Sequence, residues 1–467
     1  MNLWRIATIF VFWLSVVIPS HAQQVGTSSP VTVIQGATLI DPVAGTSIPD
    51  SVIVIEGQNI KQIGNANNFK VPTGARVIDA TGKTILPGMF SLHGHVGRSE
   101  GLESGQQFYN RERIQRDANA YLYYGITHMI SLGLDWDPMY GFLADQRAGK
   151  VGGAHLYTGG LGFAAIGGWK PGGVEEINRP GNAQEGRELV RRALQKKPDV
   201  IKLWVDDQGG KLPNLSPEIY GAIIDEAHKN NVKVLVHLYA LDEAKELMRR
   251  HVDALAHSIR DKEVDEEFLQ LAKDNKVTQL TTLVGHYGDL AYAERKTDFL
   301  DDPGLPILFQ DVVLQRLRER RARTQQNPEL GAVLADTYLA PIRDQFEMAL
   351  KNTAKINAAG IPIAIGTDSG GPTQFPGLWE HREMELLVRA GLTPMQAIQA
   401  ATINGARFLG LEKKYGSLEP GKAADFVILQ ADPLTDITNS RKIEQVWMNG
   451  KPVEREKLTL KPSASLP

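Results

Sequence analysis

The stretch Ser91-Leu92-His93-Gly94-His95 decides the fold, and it closes an apolar run that starts at Thr84. Side chains two positions apart on a strand point to the same side, so His93 and His95 can reach one ligand together. Imidazole nitrogen is a common ligand of divalent transition metals. A single His-x-His pair is also frequent as two polar residues at a strand end. The pair therefore predicts a metal site only where further ligands converge on it.

Four more polar residues stand near the ends of short apolar runs later in the chain: Lys202, His237, His257 and Asp368. Taken singly, each has an ordinary explanation, as a lysine that reaches water, a hydrogen-bonded core histidine or an aspartate that caps a turn. One such residue at each of several strand ends is hard to obtain by accident. Because the chain contains no cysteine, any metal must be held by nitrogen and oxygen ligands.

The middle of the chain alternates short apolar strands with helices that carry start signals. Ser216-Pro217-Glu218, for example, places an N-cap residue before a proline at the first helical position. Together with the run that ends at His95, the strand candidates are residues 125–133, 154–160, 199–206, 232–238, 254–259, 276–283 and 361–366. This alternation predicts an α/β fold, a (β/α)8 TIM barrel at residues 87–414, with the six polar residues at the carboxyl ends of its strands.

Strand patterns also occupy both ends of the chain. They cover residues 31–34, 51–55, 60–63 and 75–79, and return at residues 424–429 and 443–448. Isolated hairpins are only marginally stable, so the late strands are expected to complete the first sheet. We therefore predict a small composite β-sandwich domain built from residues 23–86 and 415–467.

Residues 1–22 have the pattern of a signal peptide. Arg5 precedes a short apolar run, and Ser20 and Ala22 offer small residues at the positions that a signal peptidase reads. The run is short for a membrane span, although an uncleaved anchor is the alternative. We expect a periplasmic or secreted protein without membrane attachment after cleavage. The net charge of −3 gives no reason to expect nucleic acid as a partner, and a homo-oligomer is compatible with the sequence.

Two long connections interrupt the alternation. Residues 159–173 are rich in glycine and predict a mobile loop near the site, without the ending of a phosphate loop. Residues 287–343 follow the seventh strand and include a run of charged residues, which favours a solvated helix face. The whole insertion is also long enough to form a lid over the site.

The sequence resembles the amidohydrolase superfamily, and within it the imidazolonepropionase-like and prolidase-like members. The resemblance covers nearly the whole mature chain. Besides His93-Gly94-His95 and His237, the matching stretches are Leu86-Pro87-Gly88, Ile201-Lys202, Ala256-His257-Ser258, Gly366-Thr367-Asp368-Ser369-Gly370, and residues 400–406 and 416–425. Relatives often carry an acidic residue where this chain has Ser91, and many carry a second histidine near His237, where this chain reads His237-Leu238-Tyr239.

The resemblance implies a centre with two divalent metal ions, zinc being the expected metal. His93, His95 and Asp368 would hold the more buried ion, and His237 and His257 the more exposed one. Lys202, carboxylated by carbon dioxide, would bridge the two ions. A bridging hydroxide would attack the substrate carbonyl, and Asp368 would pass its proton to the leaving nitrogen.

Three further residues are candidate substrate contacts: Tyr239, in place of the missing histidine, and His286 and Tyr287 after the seventh strand. His128 and His155 also lie on predicted strands, where a structural role is the favoured interpretation.

We expect an exported two-metal hydrolase that cleaves the C–N bond of a small amide, of the dipeptide or N-acyl amino acid type. One alternative is a one-metal deaminase or a hydrolase of cyclic amides or lactones. Lys202 argues against it, because a single ion needs no bridging carbamate. The other alternative is a secreted, non-catalytic binding protein, against which the retention of all six ligand residues argues.

Overall fold

The computed structural model describes residues 31–294, 297–309, 311–326, 339–371 and 373–458. The predicted signal peptide at residues 1–22 lies outside these ranges, as does part of the insertion at 287–343. Among the helices in the described part of the chain, none is long and apolar enough to cross a membrane.

The strands, in chain order, are β1 Val31–Asp41, β2 Thr46–Glu56, β3 Asn59–Asn65, β4 Arg76–Asp79, β5 Thr84–Pro87, β6 Met89–Gly94, β7 Ser99–Glu100, β8 Glu103–Ser104, β9 Ile126–Ser131, β10 His155–Thr158, β11 Val200–Trp204, β12 Lys233–His237, β13 Ala254–Ala256, β14 Thr278–Leu280, β15 Ile363–Ala364, β16 Phe426–Leu429, β17 Ile443–Met448 and β18 Lys451–Pro452. The helices are α1 Arg111–Tyr123, α2 Asp137–Arg147, α3 Ala183–Leu194, α4 Pro217–Lys229, α5 Leu241–Arg249, α6 Glu266–Asp274, α7 Leu283–Glu294, α8 Leu305–Leu308, α9 Asp311–Gln326, α10 Leu339–Ala358, α11 Leu378–Arg389, α12 Pro394–Ala401 and α13 Ile403–Leu409.

The terminal strands form one eight-stranded sheet in the order β18-β17-β16-β5-β1-β2-β3, with β4 paired to β1. The late strand β16 pairs antiparallel with the early strand β5, and Phe426 lies opposite Pro87. Phe426 and Trp447 are buried and stack with ring centroids 5.2 Å apart. The late strands thus join the first sheet as expected, while the sandwich arrangement and the predicted domain boundaries stay predictions.

The strands between these ends are parallel and follow a TIM-barrel-like α/β pattern. They form a three-stranded sheet, β10-β9-β6, and a five-stranded sheet, β11-β12-β13-β14-β15. Backbone hydrogen bonds connect the outer strands of the two sheets. The N–H of Leu92 donates to the carbonyl of Ile365 at 2.9 Å, and the N–H of Phe163 donates to the carbonyl of Lys202 at 2.9 Å. The carboxyl ends of the parallel strands consequently face the same side.

The parallel strands are shorter than the sequence pattern suggested, most of all β13, β14 and β15. β13 ends at Ala256 because His257 takes a left-handed conformation with φ of 75°, which interrupts an extended strand. β14 ends at Leu280, and helix α7 already begins at Leu283. The carboxylate of Glu383 accepts the N–H groups of Leu283 and Val284 at 3.0 and 2.8 Å, which satisfies free donors at that helix start. The predicted cap at Ser216 is present, and its hydroxyl accepts from the N–H of Ile219.

Candidate active site

The strand ends bring all six predicted ligand residues together. His93 lies in β6, Lys202 in β11 and His237 at the end of β12, while His95, His257 and Asp368 follow strands β6, β13 and β15. The distances that join them are His93 Nε2–Asp368 Oδ1 3.2 Å, His95 Nε2–Asp368 Oδ1 2.9 Å, Lys202 Nζ–His93 Nε2 3.4 Å and His237 Nδ1–His257 Nε2 2.7 Å. Residues from five strands therefore share one site, as the sequence predicted.

The backbone is strained at two of these residues. His257 and Asp368 have φ values of 75° and 56°, a region that residues other than glycine, asparagine and aspartate rarely enter. Such strain costs on the order of 1–3 kcal/mol and is concentrated at functional sites. The N–H of Asp368 donates to the carbonyl of His93 at 3.0 Å, which fixes this turn against β6.

Close approach of two backbone segments explains the glycines around Asp368. A Cβ on Gly366 would lie 2.5 Å from Cβ of His93, and a Cβ on Gly370 would lie 2.6 Å from Cβ of His95. Both distances are below any real contact between such atoms. The stretch from Gly366 to Gly370 therefore lets the aspartate loop lie directly against the histidine pair.

Burial sets the protonation states of the site. It lowers the pKa of His93 to about 3 and that of His237 to about 4, so both imidazoles are neutral near pH 7. Burial opposes ionisation of Asp368, but contact with His93 and His95 holds the pKa of that carboxyl well below its ordinary value. Neutral imidazoles beside an ionised carboxylate are the forms in which these groups bind divalent metals.

The donor set fits divalent metal ions. His93, His257 and Asp368 each offer a ligand atom, and these three atoms lie within 4.8 Å of one another. The set contains only nitrogen and oxygen atoms, which suits zinc or a similar first-row ion. Lys202 is completely buried beside them, and burial lowers the pKa of its amine to about 7.

Residues behind the site hold the histidines in place. Asp206 Oδ2 lies 3.0 Å from Nε2 of His237, and Thr282 Oγ1 lies 2.6 Å from Nδ1 of His257. The sequence analysis did not identify either residue. Asp206 closes the run predicted as the strand that carries Lys202, so a search for acidic residues at strand ends would have found it.

A buried carboxylate from helix α11 stands behind Ser91. Glu380 accepts hydrogen bonds from the hydroxyls of Ser91 and Thr367, both at 2.8 Å, and from the N–H of Gly377 at 2.7 Å. Ser91 precedes His93 by two residues, and Thr367 precedes Asp368. Ser91 thus contacts a carboxylate from a residue 289 positions later in the chain. No local pattern in the sequence indicates this contact.

A cavity of about 230 Å³ opens onto the site. His237, His257 and Asp368 line it from the strand ends, and Arg260 and His286 line it from the following segments. The side chain of Asp368 is 38% exposed, so the carboxylate is accessible from this space. The structure therefore brings the predicted substrate contact His286 to the cavity.

Arg260 is a cavity residue that the sequence analysis missed. One of its N–H groups lies 3.4 Å from the carbonyl of Ser258, and among the described residues its Nε has no hydrogen-bond partner. Its guanidinium lies over the ring of Tyr239, 5.2 Å from the centroid. The predicted substrate contact Tyr239 does not line the cavity itself but contacts Arg260, which does.

The other predicted residues lie elsewhere. Tyr287 belongs to a separate pocket with Phe299 and Trp379, and Arg382 lies 5.1 Å from its ring centroid. Adjacent residues on helix α7 are about 100° apart around the helix axis, so Tyr287 faces this second pocket while His286 faces the cavity. His128 and His155 lie side by side on β9 and β10, in the register of the strand pairing, and away from the six ligand residues.

Comparison with known proteins assigns the chain to a family. Residues 84–453 match the model described as the amidohydrolase family. The chain belongs to the amidohydrolase family. A dihydroorotase from Pelotomaculum thermopropionicum is 25% identical over 418 residues, which cover 85% of this chain and 88% of the relative. An imidazolonepropionase from Christiangramia forsetii is 25% identical over 430 residues, which cover 87% of this chain and 92% of the relative.

A solved structure shows the same fold. The structure of a Xaa-Pro dipeptidase with bound methionine in the active site has a TM-score of 0.69 and 22% identity, and the match covers 91% of this chain and 99% of that one. The predicted resemblance is confirmed. The protein is an amidohydrolase, an enzyme of the class that hydrolyses carbon–nitrogen bonds, and the non-catalytic alternative is set aside.

Proposed function

We propose that this amidohydrolase uses two divalent metal ions to cleave the amide bond of a dipeptide or an N-acyl amino acid outside the cytoplasm. The observation that carries the proposal is the presence of Arg260 in the same cavity as the histidines and Asp368. In this proposal the cluster of candidate metal ligands serves hydrolysis of the amide. The guanidinium of Arg260, a short distance from the cluster, binds the free carboxylate of the substrate. The compartment rests on the signal-peptide pattern of residues 1–22.

Two ions, rather than one, are supported by the position of Lys202. His93, His95 and Asp368 form one group of donors, and His237 and His257 form another. The amine of Lys202 lies 3.4 Å from Nε2 of His93 and is fully buried. A buried ammonium without a carboxylate partner is costly. Carboxylation removes this cost and creates two anionic oxygens that can bridge two cations.

The residues of the chain account for the proton transfers. The ions, when bound, would polarise the scissile carbonyl and supply a water that is acidic enough to ionise near neutral pH. Asp368 remains ionised and is accessible from the cavity, so it can accept the proton of the attacking water. The same carboxyl then donates this proton to the leaving nitrogen, which departs poorly as an anion.

Arg260 supports a substrate with a carboxylate next to the cleaved bond. A guanidinium binds a carboxylate with two parallel hydrogen bonds, and this geometry is both strong and specific. Among the described residues, Nε of Arg260 has no hydrogen-bond partner, so the guanidinium keeps donor capacity that the fold does not use. His286, half-buried beside it, can contact the same end of the substrate. A dipeptide and an N-acyl amino acid both carry the carboxylate that this cation would bind.

A closed barrel and a β-sandwich are the proposed finer description of the fold. The hydrogen bonds between Leu92 and Ile365 and between Phe163 and Lys202 support closure of the two parallel sheets into one barrel. The β1 strand pairs with β4 and β5 on successive parts of its length, which supports folding of the terminal sheet into two layers.

A hydrolase of cyclic amides is the second candidate. It is favoured by the relatives named dihydroorotase and imidazolonepropionase, which match most of the chain. Comparison of an N-acyl amino acid, a dipeptide, a cyclic amide and a lactone as substrates of the metal-loaded enzyme separates the candidates. If the enzyme prefers the cyclic amide, the second candidate function replaces the first.

Replacement of Arg260 tests the carboxylate contact. We expect Arg260→Gln to lower kcat/KM for an N-acyl amino acid by about 10- to 100-fold, because a charge-assisted hydrogen bond contributes roughly 1.5–3 kcal/mol. The loss should be much smaller for the matching substrate whose carboxylate is replaced by an amide. Arg382→Gln, which alters an arginine outside the cavity, serves as the matched control. Equal losses on both substrates would contradict the proposed role of Arg260.

A further inference from the structure

A second cluster of metal-binding side chains lies outside the cavity. His128 on β9, His155 on β10 and Asp425, just before β16, each offer a ligand atom, and these atoms lie within 4.8 Å of one another. His128 and His155 are opposite each other in the strand register. The cluster thus joins two parallel strands to the entry of the terminal sheet.

The ligand atoms of this cluster are buried and unsatisfied. His128 is 0% exposed and Asp425 is 4% exposed. Within the described residues, Nε2 of His128, Nε2 of His155 and Oδ2 of Asp425 have no hydrogen-bond partner. Buried polar atoms are normally hydrogen-bonded, so an unpartnered atom on each of three neighbouring side chains requires an explanation. A shared cation would satisfy all three.

The protein holds two of the three side chains in place through their other polar atoms. A hydrogen bond of 2.9 Å joins Nδ1 of His128 to the hydroxyl of Thr127, and the ring lies between Phe90 and Tyr415, with centroids 4.3 and 4.2 Å away. Oδ1 of Asp425 accepts the N–H of Asn449 at 2.6 Å. Partners of this kind set the orientation of a ligand and leave its other atom for the metal.

The chemistry of the donors suits a divalent ion. Burial lowers the pKa of His155 to about 4 and that of His128 well below its ordinary value, so both rings keep a lone pair near neutral pH. Two imidazoles and a carboxylate are a frequent zinc donor set, and a water completes four ligands. The competing cation is Lys414, whose ammonium lies 4.9 Å from the centroid of the Tyr415 ring and interacts with Asp425.

We propose that His128, His155 and Asp425 bind one structural divalent cation, of the zinc type, that is separate from the cavity. The ion fastens the terminal sheet to strands β9 and β10. This junction also contains the N–H of Gly88, which donates to the carbonyl of Asp425 at 2.9 Å, and the start of the β5–β16 pairing. An ion at this position would stabilise the folded chain, because the unfolded chain does not hold the three ligands together.

Zinc content and thermal stability of two variants test the proposal. The full-length protein is stripped with a chelator and reloaded with Zn²⁺ alone, and bound zinc is counted by mass spectrometry. Asp425→Asn keeps the shape of the side chain, and His155→Gln removes a half-buried ligand. We expect each variant to bind one zinc ion fewer than the wild type, with affinity at this site reduced by more than about 100-fold. The zinc-dependent rise in Tm should shrink in both.

His381→Gln is the matched control, because His381 is a buried histidine with both ring nitrogens hydrogen-bonded, to Ser440 and to the carbonyl of Tyr124. It should keep the wild-type zinc content. Anomalous scattering at the zinc edge from crystals of the reloaded wild type should show a peak between the three ligands. Equal zinc content in Asp425→Asn and the wild type, or anomalous peaks confined to the cavity, would overturn the proposal and leave Lys414 as the partner of Asp425.

Discussion

Lys202→Met separates the cost of burying Lys202 from its use as a ligand. Methionine has a similar length and no charge, so it fills the same space without the amine. Burial lowers the pKa of Lys202 from 10.5 to about 7, a difference that corresponds to about 5 kcal/mol against the charged form. In the metal-free enzyme at pH 7, Lys202→Met should therefore be more stable than the wild type by several kcal/mol. The metal-loaded variant should lose its bridging ligand and nearly all activity.

The stability difference between Lys202→Met and the metal-free wild type should depend on pH in a defined direction. Because the pKa in the folded state is lower than in the unfolded state, the destabilisation is complete below about pH 7. It decreases as the pH rises from about 7 towards 10.5, since the unfolded chain then binds a proton that the folded chain does not. The stability difference between Lys202→Met and the metal-free wild type should shrink over that range.

Urea unfolding of both chelated proteins at several pH values measures the difference. Lys422→Met is the control, because Lys422 is also buried but its ammonium has two partners, the hydroxyl of Ser417 and the carboxylate of Glu419. That variant should lose about 1 kcal/mol rather than gain stability. A Lys202→Met protein that is less stable than the metal-free wild type at pH 7, by an amount independent of pH, would refute the buried-amine argument. Two bound metals and full turnover in Lys202→Met would refute the bridging role.

Two further predictions rest on the structure and a third on the sequence of residues 1–22. Lys202→Ala should lose metal and activity, and acetate or propionate should partly restore both, because two anionic oxygens between the ions can come from a free carboxylic acid; failure of rescue together with retained metal would contradict this. Glu380→Gln should be less stable and hold metal less well, because an amide cannot accept all three hydrogen bonds of Glu380. We expect urea unfolding to show a free energy of unfolding lower by about 1.5–3 kcal/mol, and competition with a chelator to show metal retention weaker by about 10- to 100-fold. Amino-terminal sequencing of the exported protein should begin near Gln23, whereas an intact Met1 in a membrane fraction would contradict the signal peptide.

The sequence predicted that the six candidate ligand residues come together, because strand ends in a parallel α/β fold meet on one side. His93, Lys202 and His237 each stand in or at the end of an apolar run, and that placement alone brings them together. The lengths of the strands were harder to predict from the sequence. The left-handed backbone at His257 and the early start of helix α7 depend on contacts with distant residues such as Glu383, which no local pattern displays.

Substrate contacts were harder to predict for the same reason. His286 was predicted from its position after a strand and lies at the cavity, whereas its neighbour Tyr287 points into another pocket, because the segment is helical. Arg260 follows its strand by only four residues, yet a lone arginine in a polar segment carries no signal until the fold places it. The support of Ser91 by Glu380 depends on a contact between strand β6 and the late helix α11.

The two histidine clusters illustrate how one set of strands serves two purposes. In a parallel barrel the carboxyl ends of the strands carry chemistry, and residues elsewhere on the strands contribute stability. His93 near the end of β6 belongs to the first kind, because it contacts Asp368, which lines the cavity. His128, whose ring stacks on Phe90 of the same β6, is fully enclosed, so an ion there would have no open path to a substrate. Loss of the first set should therefore abolish turnover with little change in fold, and loss of the second should weaken the fold while the remaining folded protein keeps its turnover.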